Sequence, residues 1–192
     1  MSKMTINNSP VRTSNNYQIN NISLNDIPSF SNVKFENVIY QDFDDENLKV
    51  TTTTSDFHLT YGMGEIIENE VKSNSNVKMK LELTASTEKE NIIQFVFDKN
   101  NRRLVDDIEI LVNENVKGKM IIQYIVANDS SLERKYHVDE QYEGIHNGVI
   151  RTMMNANSEL QLTVVNLTGF RTTNVLSMEN ELSEKSKLEY HI

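Results

Sequence analysis

The sequence predicts a mainly β protein with one short helix near its start, and three observations carry that prediction. After about Ala85 nearly every segment reads as a short strand bounded by polar turns. Helical periodicity is convincing at a single place, just after Gly62 and Gly64. A strand, turn, strand unit recurs in the second half. Short strands with polar turns fit a sandwich, a barrel or a solenoid, and the recurrence favours the solenoid, in which each coil buries its apolar face only against its neighbours.

Residues 1–32 are rich in Asn and Ser, carry Pro10 and Pro28, and read as an extended leader with few core positions. Residues 33–84 read as a small α/β region. VKFENVIY and NLKVTTTT are β-rich runs separated by the acidic turn QDFDDE. In GEIIENEVKSNS, Ile66, Ile67 and Val71 fall on one side of a helix, with Glu65, Glu68 and Glu70 largely elsewhere. VKMKLELT then alternates Val77, Met79, Leu81 and Leu83 with Lys78, Lys80 and Glu82, the period of a strand with one buried face.

Residues 85–192 supply the strand-like segments NIIQFVFD, DIEILVNEN, KMIIQYIVAN, GVIRTMMNA, LQLTVVNLT, NVLSMENE and KLEYHI. Overlaying residues 113–125, 154–166 and 182–192 aligns Gly118 with Ser158 and Ser186, and Met120 with Leu160 and Leu188, at spacings of 40 and then 28 residues. A glycine in such a turn suggests a positive φ or a close approach between coils. The competing explanation is chance similarity among generic hairpins.

Composition narrows the function. A formal charge of −9 makes approach to a phosphate backbone or an anionic membrane repulsive. With no cysteine there is no disulfide, thiolate ligand or Cys nucleophile. No segment approaches the roughly 20 apolar residues that span a bilayer, and the start of the chain has no signal-peptide core, so a cytoplasmic protein is expected. P-loop, GxSxG, HExxH and strand-linked GxGxxG motifs do not occur.

The four histidines are His58, His137, His146 and His191. No two sit at i, i+2 on a strand or i, i+4 on a helix, so structural or surface roles are expected, with His191 in EYHI the best placed to be a ligand. The acidic runs DFDDE (42–46) and VDDIE (105–109) lack the glycine and terminal glutamate of an EF-hand loop and read as solvated turns. No catalytic, cofactor-binding or metal-binding residue is assigned. A β-solenoid carbohydrate-binding or carbohydrate-active protein is the alternative reading; it would need paired carboxylates and sugar-stacking aromatics, and the chain has no tryptophan.

Four passages resemble the SufB/SufD family of iron–sulfur cluster assembly scaffolds, in particular its short SufD-like members. They are the leader MTINNSPVRTSNNYQINNISL, where Ser14 and Asn15 replace expected aromatic residues; YGMGEIIENEVKSNSNVKMKLEL (61–83); DIEILVNENVKGKMIIQYI (107–125); and EGIHNGVIRTMMNANSELQLTVVNL (143–167). The last resembles the family's HN-x-x-x-R followed by a strand, a small polar turn and a strand, and is the most specific. The resemblance implies a right-handed parallel β-helix over residues 85–192, a SufB-like partner subunit and docking on the ABC-type ATPase SufC. It implies a scaffold that is not itself an enzyme. Two departures matter. The family's β-helix runs on into a segment that contacts SufC, for which nothing after Ile192 is present, so the β-helix is expected to be incomplete and to self-associate or pair through residues 175–192. The family's cluster chemistry also uses a cysteine of the SufB-type subunit, so this chain alone is expected to hold no cluster, with an iron–sulfur cluster present only in a complex with partners.

Overall fold

The computed structural model describes residues 4–6, 22–24, 33–55, 65–127, 144–168 and 172–192. In chain order these form β1 (Met4–Ile6), β2 (Ile22–Leu24), β3 (Val38–Gln41), β4 (Leu48–Thr51), α1 (Glu65–Asn74), β5 (Val77–Leu83), β6 (Glu90–Phe97), β7 (Arg103–Val112), β8 (Lys117–Val126), β9 (Gly144–Met154), β10 (Glu159–Leu167), β11 (Thr172–Leu182) and β12 (Lys187–His191). The protein is mainly β, as expected. β1 and β2 pair antiparallel with each other. The other strands make two five-stranded sheets, in the orders β4-β5-β7-β9-β11 and β3-β6-β8-β10-β12.

From β5 onward, successive strands fall alternately in the first sheet and the second. Within each sheet these strands run parallel, while β3 and β4 join the starting edges antiparallel. Alternating side chains give each strand one inward face. Val77, Met79, Leu81 and Leu83 are all buried, as their spacing predicts. In register with them lie Asp106, Ile108, Ile110 and Val112 on β7, then Gly148, Ile150, Thr152 and Met154 on β9. The second sheet contributes Ile93, Phe95, Phe97, Ile122, Tyr124 and Leu162 to the same core. Each fully buried Ile, Leu or Phe contributes about 1.5–3 kcal/mol, so the two-sheet core supplies most of the driving force.

The turns that pass the chain from the first sheet to the second are stacked. Asn113–Val116, Asn155–Ser158 and Ser183–Ser186 each close with the fourth residue's N–H donating to the first residue's carbonyl, at 3.2, 3.3 and 3.1 Å. Their third residues, Asn115, Asn157 and Lys185, have φ of 61°, 57° and 57°. Asparagine tolerates this left-handed backbone and lysine does so less readily. Neighbouring turns bond to one another: Asn115 N–H donates to Ala156 O at 3.1 Å, and Asn157 N–H to Glu184 O at 3.0 Å.

This stacking corrects the repeat. Gly118 pairs with Leu160 and Met120 with Leu162, two residues away from the sequence overlay, whereas Leu160 does pair with Leu188. The turn spacing is 42 and then 28 residues, because the return from β8 to β9 is much longer than that from β10 to β11. Gly118 is not needed for a positive φ; a Cβ there would overlap Cδ2 of the fully buried Leu83. Gly118→Val is therefore expected to lose about 1–3 kcal/mol in urea melts, and Lys117→Val, at an exposed side chain, much less. Equal losses would contradict this packing.

Helix α1 lies against β7 and β9 on the outer face of the first sheet. Ile67 and Val71, one turn apart, are buried there, but Ile66 is 55% exposed, which corrects its expected place on the apolar side. Ile66 is turned about 100° from Ile67 around the helix and so leaves the contact.

Candidate functional site

The acidic run VDDIE is not a solvated turn. It lies inside β7, and Asp106, Asp107 and Glu109 are 0%, 1% and 0% exposed. Burying a carboxylate is unfavourable unless it is paired and hydrogen-bonded. The strand period sends Asp106 inward and Asp107 and Glu109 outward, which creates two polar clusters on opposite faces of one sheet.

The inward cluster is a chain of four side chains from four strands. Tyr124 Oη donates to Asp106 Oδ2 at 2.9 Å. The other carboxylate oxygen, Oδ1, lies 2.8 Å from His146 Nε2. His146 Nδ1 lies 2.8 Å from Asn174 Oδ1 on β11. Tyr124, Asp106 and His146 are fully buried, whereas Asn174 is exposed. The Tyr124 and His146 rings pack with centroids 4.1 Å apart; Phe95 stacks on Tyr124, and Phe97 meets His146 edge to face.

Gly148 makes room for this chain. It pairs with Asp106 across the sheet and lies two residues from His146 on the same face of β9. A Cβ at Gly148 would overlap the Asp106 carboxylate and come within 2.8 Å of His146 Nε2. The missing side chain lets the imidazole lean over it onto the acid.

The outward cluster joins β5, β7 and β9. Lys80, Glu109 and Arg151 stand in one row across these strands. Lys80 Nζ is 2.9 Å from Glu109 Oε1, and Arg151 Nη2 is 2.5 Å from Asp107 Oδ1. Residues 54–55 close over the row: Thr54 Oγ1 donates to Asp107 at 2.6 Å, Ser55 N–H to Glu109 at 2.7 Å, and Arg151 Nη1 to Ser55 O at 3.0 Å. Burial alone would raise the Glu109 carboxyl, but hydrogen bonds from Lys80 and Ser55 outweigh it and hold it below the usual range. Beside this row, Asn147 Nδ2 donates to Glu70 of α1 at 2.8 Å, and Glu70 is ion-paired with Arg103.

The residues of the HN-x-x-x-R passage are thus all buried, each against a different acid: His146 on Asp106, Asn147 on Glu70 and Arg151 on Asp107. His191 sits on β12, half exposed, 3.2 Å from Glu189 and 3.1 Å from Gln161 Nε2. His58 and His137 lie outside the described residues. Among the described residues no three His, Asp or Glu side chains are grouped as metal ligands would be. An open groove of about 240 Å³ on the second sheet is lined by Lys117, Lys119, Glu159, Gln161 and Lys187 among others, with no aromatic side chain in its wall. The turn DFDDE is a turn as expected, although Asp44 is buried in it, accepting from Thr87 Oγ1 at 2.6 Å and Asn47 Nδ2 at 3.0 Å.

Tyr124 offers a pH test of the inward cluster. Burial first, and then the Asp106 charge and hydrogen bond, push its hydroxyl well above the ordinary tyrosine value. A group raised in the folded state contributes stability below its unfolded value, near 10, that is lost as pH rises beyond it. Tyr124→Phe is expected to be less stable at neutral pH, yet to lose less stability than the parent between about pH 10 and pH 11. Parallel losses in urea midpoints would contradict a buried, neutral Tyr124.

Comparison with family models, with curated proteins and with solved structures finds no match to this chain.

Proposed function

We propose that the chain is a scaffold of the SufB/SufD kind, working in iron–sulfur cluster assembly beside a SufB-like subunit and a SufC-like ATPase rather than as an enzyme. The observation that carries this reading is the strand alternation. Each strand from β5 onward goes to the opposite sheet, and each returns parallel to the strand before last. A β-helix has this path, and connections between parallel strands of one sheet are right-handed in about 98% of cases, which favours the right-handed form that the resemblance implies. The four passages that carry the resemblance add the family.

The later edges of the two sheets support association. Among the described residues β11 and β12 each pair on one side, leaving a row of backbone groups that a further strand can join. Leu182 and Ile192 are 52% and 89% exposed there, whereas Leu188 and Tyr190 pack against the core. Leu182→Lys with Ile192→Lys is the substitution that tests the edge, since a lysine at Leu188 would disturb the fold itself. Light scattering at high concentration, alone and with a SufB-like subunit, should show association by the parent that the double variant weakens. A parent that stays monomeric and fails to bind the subunit would count against this function.

A further inference from the structure

With no cysteine and no tryptophan among its 192 residues, this chain gives up a single electron most easily from one of its seven tyrosines. Which one is decided by the base that receives the phenol proton. A phenol that loses an electron becomes a strong acid, and keeping the proton would leave a cation. In an apolar core that cation is costly, so a buried tyrosine is oxidised where a base already accepts its hydroxyl. Among the described residues Tyr124 is the tyrosine that meets this condition. Its Oη donates to Asp106 Oδ2 at 2.9 Å, whereas Tyr190 Oη donates to the Asn180 amide oxygen, which is no base, and Tyr40 is exposed on β3.

The carboxylate is fixed in place. His146 Nε2 lies 2.8 Å from its other oxygen, and Gly148 leaves the space that the acid occupies. Transfer of the hydroxyl proton to Oδ2 is then a short shift along an existing hydrogen bond. The phenol and the carboxylate become a neutral phenoxyl radical and a carboxylic acid, and one electron leaves. That electron has a short way out. Tyr124 lies on β8, one strand layer from the outer face of the second sheet, where its chain neighbours Gln123 and Ile125 are half-buried. An electron crosses a single layer of backbone by tunnelling, while a proton does not, which is why the base must be inside. Phe95 stacks on the Tyr124 ring with centroids 5.3 Å apart, and both side chains are fully buried, so a radical formed there is shielded from coupling with another.

We propose that Tyr124 and Asp106 form a one-electron redox site, in which Tyr124 gives an electron to an oxidised transition-metal complex at the outer face of the second sheet and passes its proton to Asp106. The site is a property of this chain alone and does not rest on the scaffold function.

The test oxidises the full chain with photogenerated tris(bipyridine)ruthenium(III), an outer-sphere one-electron oxidant, and reads the product by freeze-quench electron paramagnetic resonance. The parent should give a phenoxyl signal that outlasts that of free tyrosine and narrows when ring-deuterated tyrosine is incorporated. Tyr124→Phe, which removes only the hydroxyl, should lose that persistent signal. Asp106→Asn still accepts the hydrogen bond but cannot take the proton, so its yield should fall roughly tenfold, the worth of a hydrogen bond to a charged group. Circular dichroism establishes that each variant is folded. Where Asp106→Asn is not, the parent answers alone: its persistent radical should form at a rate independent of phosphate concentration, because the proton goes to an internal base, whereas an exposed tyrosine is oxidised faster as buffer base is added. No persistent radical in the parent, a persistent signal that survives in Tyr124→Phe, an undiminished yield in folded Asp106→Asn, or a parent rate that climbs with phosphate would overturn the redox site while leaving the scaffold function untouched. Failure of the chain to associate would do the reverse.

Discussion

Asp106→Leu is expected to be among the most damaging single substitutions in the described part of the protein, at about 3–5 kcal/mol, because it leaves His146 and the Tyr124 hydroxyl buried without their acceptor. His146→Leu should cost a similar amount by stranding the carboxylate. The double variant should cost less than the sum, by about 1–3 kcal/mol, since each partner's penalty arises from the presence of the other. Urea melts of the four proteins measure this directly. Strict additivity would mean that the pair does not act as a unit.

Gly148→Ala should rank close behind, at about 2–4 kcal/mol, although it adds a single methyl group to a strand where alanine is otherwise well tolerated. The added Cβ would land on the Asp106 carboxylate, which is fixed by two hydrogen bonds and has nowhere to retreat. Relief identifies the cause: an Asp106→Ala background removes the nearest atom the methyl would meet, and the further loss should fall by more than half. A loss unchanged in that background would place the strain in the backbone of β9 instead.

These two substitutions lie in the part of the molecule that the sequence made hardest to read. The strands and the single helix were legible because their signal is local: Val77, Met79, Leu81 and Leu83 declare a buried face within seven residues. The two-sheet path was partly legible through the recurring turns, but a two-residue shift put Gly118 beside Ser158, because small polar residues recur within each turn and only the backbone bonds fix the register. The acids of β7 were misread because a carboxylate is a poor core residue unless its partner is known. Here the partners His146 and Arg151 lie 40 and 44 residues away along the chain. One local sign was present. Leu104, Asp106, Ile108 and Ile110 follow a strict alternation, and an acid in an otherwise apolar register calls for a buried partner such as the histidine of HNG on a second strand. Nothing comparable marks Tyr124 or Asn174, which differ from their neighbours only in where the fold carries them.

Among the described residues β11 and β12 end their sheets, and the proposed role depends on what that edge meets. The most direct measurement is co-purification of the chain from its native cells under anaerobic conditions, with the retained proteins identified and iron and sulfide assayed. The scaffold reading predicts a SufB-like subunit and a SufC-like ATPase on the parent chain, both reduced by Leu182→Lys with Ile192→Lys, and iron–sulfur absorption in the complex but not in the chain alone. Recovery of the chain without either protein, or a stable stoichiometric cluster on the isolated chain, would contradict it.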